Sequence, residues 1–135
     1  MMTQIQPHKE VPVNVITKMS LPAALLRLEG LTMFSAAIVL FWQAGGSWLL
    51  FALLLLVPDI GMLGYLRNSR LGAITYNLVH AYPLPALLSL AGVLSGNVLL
   101  LQIGLIWFAH IGMDRTVGYG LKYTHAFKHT HLDAI

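Results

Sequence analysis

Residues 31–57 read LTMFSAAIVLFWQAGGSWLLFALLLLV, with no charged side chain and only the small turn Ala44-Gly45-Gly46 between two apolar runs. A helix needs about 20 apolar residues, each rising 1.5 Å, to cross a hydrocarbon core about 30 Å thick. Extended outward past Glu29 and Arg27 on one side and Asp59 on the other, the two runs become spans near 22–43 and 47–66. The same pattern returns at 71–94 and 97–116, around the uncharged turn Ser95-Gly96. This predicts an all-α fold, a four-helix transmembrane bundle over 21–116. A polar arm, 1–20, precedes it and a tail, 117–135, follows it.

All eight Lys and Arg residues fall on one side of these spans. They are Lys9, Lys18 and Arg27, then Arg67 and Arg70, then Arg115, Lys122 and Lys128. Basic residues are retained on the cytoplasmic side during insertion, so both termini are expected to be cytoplasmic. Hydrophobic residues make up 57% of the chain, charged residues 10%, and the mean hydropathy is +0.73. Soluble domains carry about a quarter charged residues, and a soluble helical bundle needs a wide polar face that no segment here shows. The net charge of +3 is too dispersed for a nucleic-acid surface, and the sidedness of its cations is accounted for by topology. The lipid bilayer is the expected partner, with a homo-oligomer or a membrane protein partner also compatible. The absence of Cys excludes disulfides and thiolate chemistry. The first span is expected to act as an uncleaved anchor.

Ionisable groups inside the spans are the second informative feature. Counted from the cytoplasmic ends at 1.5 Å per residue, Glu29, Asp59, His80 and His110 all lie roughly 9–14 Å deep. Charges in hydrocarbon cost several kcal/mol and normally face a bundle interior or a wet cavity, in pairs. One group from each span at one depth therefore predicts a single convergent site. Helical spacing adds neighbours: Tyr76, Asn77 and His80 share a face of span 3, and Trp107, His110 and Asp114 share one of span 4. Asp114 is placed to partner His110, and Arg115 to pair with Glu29 or Asp59 across the bundle. Pro58 should kink span 2, and Tyr82-Pro83-Leu84-Pro85 should bend or break span 3 beside His80.

The two carboxylates and two imidazoles of the layer supply a general acid and a general base; with Asp114 beside His110, the candidate catalytic residues are Glu29, Asp59, His80, His110 and Asp114. Tyr76, Asn77, Tyr82, Arg115 and Lys122 are the candidate substrate-binding residues, the two cations as anion-holding groups. The same donors, without sulfur, suit Zn, Mn or Fe, although no compact ligand motif is present and no cofactor is specified. The alternative without chemistry is interhelical glue, which in membranes more often uses Asn, Ser or Thr. His125 and His129, spaced i, i+4, and His131 form a separate ligand-compatible set in the tail. Gly30, Gly61, Gly64, Gly104 and Gly112 suit close helix approach. Trp42 and Trp48, and Tyr65, Tyr119 and Tyr123, suit aromatic belts at the two interfaces.

Several of these residues also recur in runs: Leu26-Arg27-Leu28-Glu29-Gly30, Pro58-Asp59-Ile60-Gly61-Met62-Leu63-Gly64-Tyr65, and Tyr76-Asn77-Leu78-Val79-His80-Ala81-Tyr82. The longest is Ala109-His110-Ile111-Gly112-Met113-Asp114-Arg115 with Gly118-Tyr119-Gly120-Leu121-Lys122-Tyr123. On these the stretch Leu25–Leu132 resembles a family of small bacterial membrane proteins, domain of unknown function 4260. The resemblance implies a bacterial cytoplasmic membrane protein and brings no reaction, substrate or cofactor. Three functions are compatible with these features. The first is a membrane-embedded acid–base enzyme on a lipid-soluble substrate, by isomerisation, cyclisation or hydrolysis. The others are a non-catalytic membrane subunit or assembly factor, and a small proton-coupled transporter. The nearly featureless outer half of the spans argues against the transporter, because transport needs polar lining on both sides of a site.

Overall fold

A computed structural model describes residues 19–122 and Leu132. The polar arm up to Lys18, Tyr123 and the tail histidines lie outside the described residues. Within them the chain is helical with no strand, and four helical stretches are long and apolar enough to cross a membrane: Leu21–Gln43, Trp48–Leu66, Ser69–Ser95 and Val98–Val117.

Helix α1 (Leu21–Gln43) starts where Ser20 accepts the Ala23 N–H on its hydroxyl at 3.3 Å and Pro22 occupies the first turn. Its amphipathic signal is weak because most of its surface is apolar, as a lipid-facing helix requires. Leu21, Leu28, Leu40 and Trp42 are all exposed. After the turn at Gly45, α2 (Trp48–Leu54) runs until the backbone tightens into a 3-10 helix, Val57–Leu66. Ser47 precedes α2 without a capping hydrogen bond from its side chain. Asn68 caps α3 (Ser69–Val79), accepting the Leu71 N–H at 2.8 Å. After His80–Tyr82, α4 (Pro83–Ser95) begins. Gly96, at φ +67°, takes the left-handed turn that L side chains resist, and Asn97 caps α5 (Val98–Val117) through the N–H groups of Leu99 and Leu100.

The second span departs from a proline-kinked α-helix. Val57–Leu66 is ten residues of 3-10 structure, well beyond the usual three or four. With three residues per turn its sequence sorts into three clean rows. Pro58, Gly61 and Gly64 form the first; Gly61 and Gly64 meet α3 so closely that a Cβ on Gly64 would lie 3.0 Å from the Leu71 carbonyl. Ile60, Leu63 and Leu66 form the second and are exposed. Asp59, Met62 and Tyr65 form the third and are all partly buried. An α-helix would smear these rows, so the triplet pattern itself favours the tighter winding.

Helix α5 is the hub. It packs on α1, α4 and α2, while α3 packs on the 3-10 helix. Away from the polar groups, Phe41, Leu105 and Ile106 form a buried apolar cluster with Leu50, Phe51 and Leu54 around it. Packing rather than exclusion from water holds such helices together in lipid, so small residues mark the contacts. At the α1–α5 crossing, a Cβ on Gly112 would lie 2.7 Å from the Phe34 nitrogen and 2.8 Å from the Gly30 carbonyl.

Candidate functional site: a buried aspartate and histidine centre

Span 3 breaks because Pro83 has no N–H to give the Val79 carbonyl four residues earlier. Helix α5 supplies the replacements: Trp107 Nε1 donates to the Val79 oxygen at 2.6 Å, and Arg115 donates to the His80 oxygen at 3.1 Å. Freed carbonyls at membrane depth are tolerated when protein satisfies them in this way. The break leaves His80 as the cap of α3, with its imidazole turned into the bundle and 2% exposed.

His80 meets His110 of α5, which is fully buried, with the two Nε2 atoms 3.0 Å apart. Two carboxylates close the group. Asp59 Oδ1 lies 3.4 Å from His80 Nε2 and 3.5 Å from His110 Nε2. Asp114 Oδ2 lies 3.5 Å and 3.4 Å from the same atoms. One donor atom from each of the four falls within 4.8 Å of all the others. Three polypeptide elements thus converge: the third row of the 3-10 helix, the end of α3, and one face of α5.

The orientation of His80 is set from two sides. Its Nδ1 lies 2.9 Å from the Tyr76 carbonyl, which can only accept, so Nδ1 carries a proton and Nε2 presents a lone pair to the centre when the ring is neutral. The Tyr76 ring stacks on the imidazole at 3.7 Å between centroids and 13° between planes. His110 Nδ1 is buried without a hydrogen-bond partner among the described residues.

The other sequence-derived candidates divide into two groups. Asn77 clasps the backbone after α5, donating to the Lys122 carbonyl at 2.7 Å and accepting its N–H at 2.6 Å. That clasp brings the Lys122 ammonium over the Tyr76 ring, 4.6 Å from its centroid. Burial pushes the Lys122 ammonium below its usual value, while Asp114 and Asp59 pull the other way. Glu29 does not join the centre. It is exposed on α1 and lines a separate cavity of about 630 Å³ with Tyr82 and Arg115. Among the described residues Arg115 forms no ion pair with Glu29 or Asp59; its guanidinium is engaged at the His80 carbonyl. Depth alone brought Glu29 into the expected layer; its direction around α1 takes it elsewhere. Asp114, expected as a partner of His110 and a candidate catalytic residue, lies as close to His80 as to His110. Tyr65, expected at the interface, lies against Gly72 with Lys122 5.7 Å from its ring centroid.

An apolar groove of about 550 Å³ lies between the 3-10 helix, α3 and α5, lined by chain neighbours of the centre rather than by its four members. Pro58 and Ile60, which flank Asp59, line it with Val79, which precedes His80, and Trp107. Volumes of this size are typical of small-ligand sites. Comparison with curated proteins and with solved structures gives no match. The family model described as Domain of unknown function (DUF4260) matches residues 23–135, and so takes in every member of the centre; the chain belongs to that family.

Proposed function

We propose that the chain is a multi-pass enzyme of the bacterial cytoplasmic membrane, with both termini cytoplasmic, that performs acid–base chemistry on a lipid-soluble substrate. The observation that carries this reading is the convergence of Asp59, His80, His110 and Asp114, with five contacts of 3.0–3.5 Å, in a bundle whose apolar groove is lined by neighbours of Asp59 and His80. Such a cluster is expensive in an apolar bundle, and one hydrogen-bonded pair would suffice as glue. A lipid tail fits the groove's lining, which includes both chain neighbours of Asp59, and Asp59 is the accessible carboxylate, its side chain 43% exposed against 14% for Asp114. Asp59 then exchanges the substrate proton, the histidine pair passes it on, and Asp114 holds the pair in place. Arg115 and Lys122 supply positive charge for a polar head group. Transport fits less well: above the centre Gln102 is engaged by the Ala44 carbonyl at 2.9 Å, holding the outer hairpin rather than lining a path.

The enzyme reading is tested by reconstituting purified protein into vesicles of bacterial total lipid extract and following the lipids by mass spectrometry. Wild type is expected to convert at least one lipid species and Asp59→Asn to leave it untouched. Identical lipid profiles for wild type, Asp59→Asn and empty vesicles contradict enzyme activity on that lipid pool. Orientation has its own test, helped by the absence of native Cys. Ser69→Cys should react with a membrane-impermeant maleimide only in inverted vesicles, and Ser47→Cys and Ser95→Cys only in right-side-out ones; all three positions are exposed. The opposite labelling pattern reverses the topology.

A further inference from the structure

We propose that Asp59, His80, His110 and Asp114 together bind one divalent transition-metal ion of the zinc type. The spacing is the first reason. A tetrahedral ion with bonds of about 2.0–2.1 Å to nitrogen and oxygen holds its ligand atoms about 3.3–3.4 Å apart. The five contacts among the four donor atoms measure 3.0, 3.4, 3.4, 3.5 and 3.5 Å. Four donor atoms all within 4.8 Å of one another enclose a space of the size such an ion fills.

The proton inventory is the second reason. His80 gives its Nδ1 proton to the Tyr76 carbonyl, so Nε2 faces inward as an acceptor. Two carboxylate oxygens are acceptors as well, and a neutral His110 brings at most one proton on Nε2 to the group. Acceptors crowded in a buried place call for a cation among them. A backbone carbonyl on Nδ1 is also the usual outer partner of a metal-ligating histidine, fixing tautomer and ring direction. The stacked Tyr76 restrains the ring further.

Ligand chemistry narrows the ion. Two imidazoles disfavour Mg and Ca, which prefer all-oxygen shells, and suit Zn or its neighbours. Burial sorts the ligands by role. His80, His110 and Asp114 are enclosed and form a His-His-carboxylate set of the kind that leaves one position open in catalytic zinc sites. Asp59, the most exposed of the four, is the ligand that can yield that position to a substrate or water. This site uses the residues of the proposed function but does not rest on catalysis, because occupancy is read without turnover; with the ion bound both histidine Nε2 atoms are ligands, so proton exchange falls to Asp59 alone and not to the histidine pair.

The test uses full-length protein carrying a non-histidine affinity tag, stripped with chelator, loaded with ZnCl2 and desalted. Mass spectrometry of the metal should count about one Zn per chain, and X-ray absorption should show a nitrogen and oxygen shell with imidazole scattering and no sulfur. His110→Ala and Asp114→Asn should weaken Zn binding at least about 100-fold, since loss of an outer-shell partner alone costs 10–100-fold. Asp59→Asn, at the more open position, guards against a variant that fails to fold and should bind more weakly than wild type. A His125→Ala/His129→Ala/His131→Ala variant should keep its metal. Wild type that retains less than about a tenth of an equivalent overturns the site. So does metal undiminished by the centre variants, or lost with the tail histidines. Zn bound without lipid conversion leaves this site standing and removes the enzyme reading; lipid conversion by wild type that retains less than about a tenth of an equivalent after loading does the reverse.

Discussion

Gly112→Ala is expected to destabilise the protein by about 3 kcal/mol, the upper end for over-packing a tight contact. The new methyl would lie 2.7 Å from the Phe34 nitrogen, 2.8 Å from the Gly30 carbonyl and 3.0 Å from the Phe34 Cα. These are backbone atoms in the middle of α1, so no rotamer change relieves them; the two helices must separate. Alanine is better than glycine in a helix by about 1 kcal/mol, which offsets only part of the loss. Separation also reaches the centre, since His110 and Asp114 flank Gly112 on α5. Ala52→Leu, on an exposed position of α2, is the matched control and should stay within about 0.5 kcal/mol of wild type. Thermal unfolding in detergent distinguishes them. A Gly112→Ala protein as stable as the control means that α1 and α5 do not approach as described.

His110→Ala carries the largest expected effect on activity, a loss of about 10²–10⁴-fold in lipid conversion, the range that one positioned acid–base group contributes. Its Nε2 is within 3.5 Å of all three partners, and its ring is fully buried, so neither water nor a neighbouring side chain replaces it readily. Because the ring is fully buried, its truncation also leaves a cavity, so thermal unfolding of the variant must show a folded protein before the loss is assigned to chemistry. Asp114→Asn keeps shape and removes charge, and should lose activity by a similar factor.

The spans and the polar centre were legible for one reason: charge is so unfavourable in hydrocarbon that its placement is informative residue by residue. The run 31–57 outlines a hairpin of spans because nothing in it can meet water, and Asp59, His80 and His110 stand out against that background. Helical spacing likewise joined Asp114 to His110. Depth counting carries no information about direction around a helix axis, and that is where Glu29 went astray: on α1 the packed face is set by Gly30 against Arg115 and Thr116, which leaves its neighbour Glu29 outside the group. The long 3-10 helix was hidden by the expectation that proline kinks an α-helix. Its signal was present in the triplets Pro58-Asp59-Ile60, Gly61-Met62-Leu63 and Gly64-Tyr65-Leu66, a period of three rather than 3.6. Tyr76 carried a site signal on its helix face, but its stacking on His80 follows from the break after Val79 and could not be counted from spacing.

The central claim is that the four groups work as one unit, and the most direct measurement is the rate of lipid conversion by His110→Ala, Asp114→Asn and the double variant in matched vesicles. Residues that act together are grossly non-additive, so the double variant should be no slower than the slower single one, within a factor of about three. Losses that multiply, with the double variant slower by the product of the two single factors, would show two independent contributions and contradict a single centre.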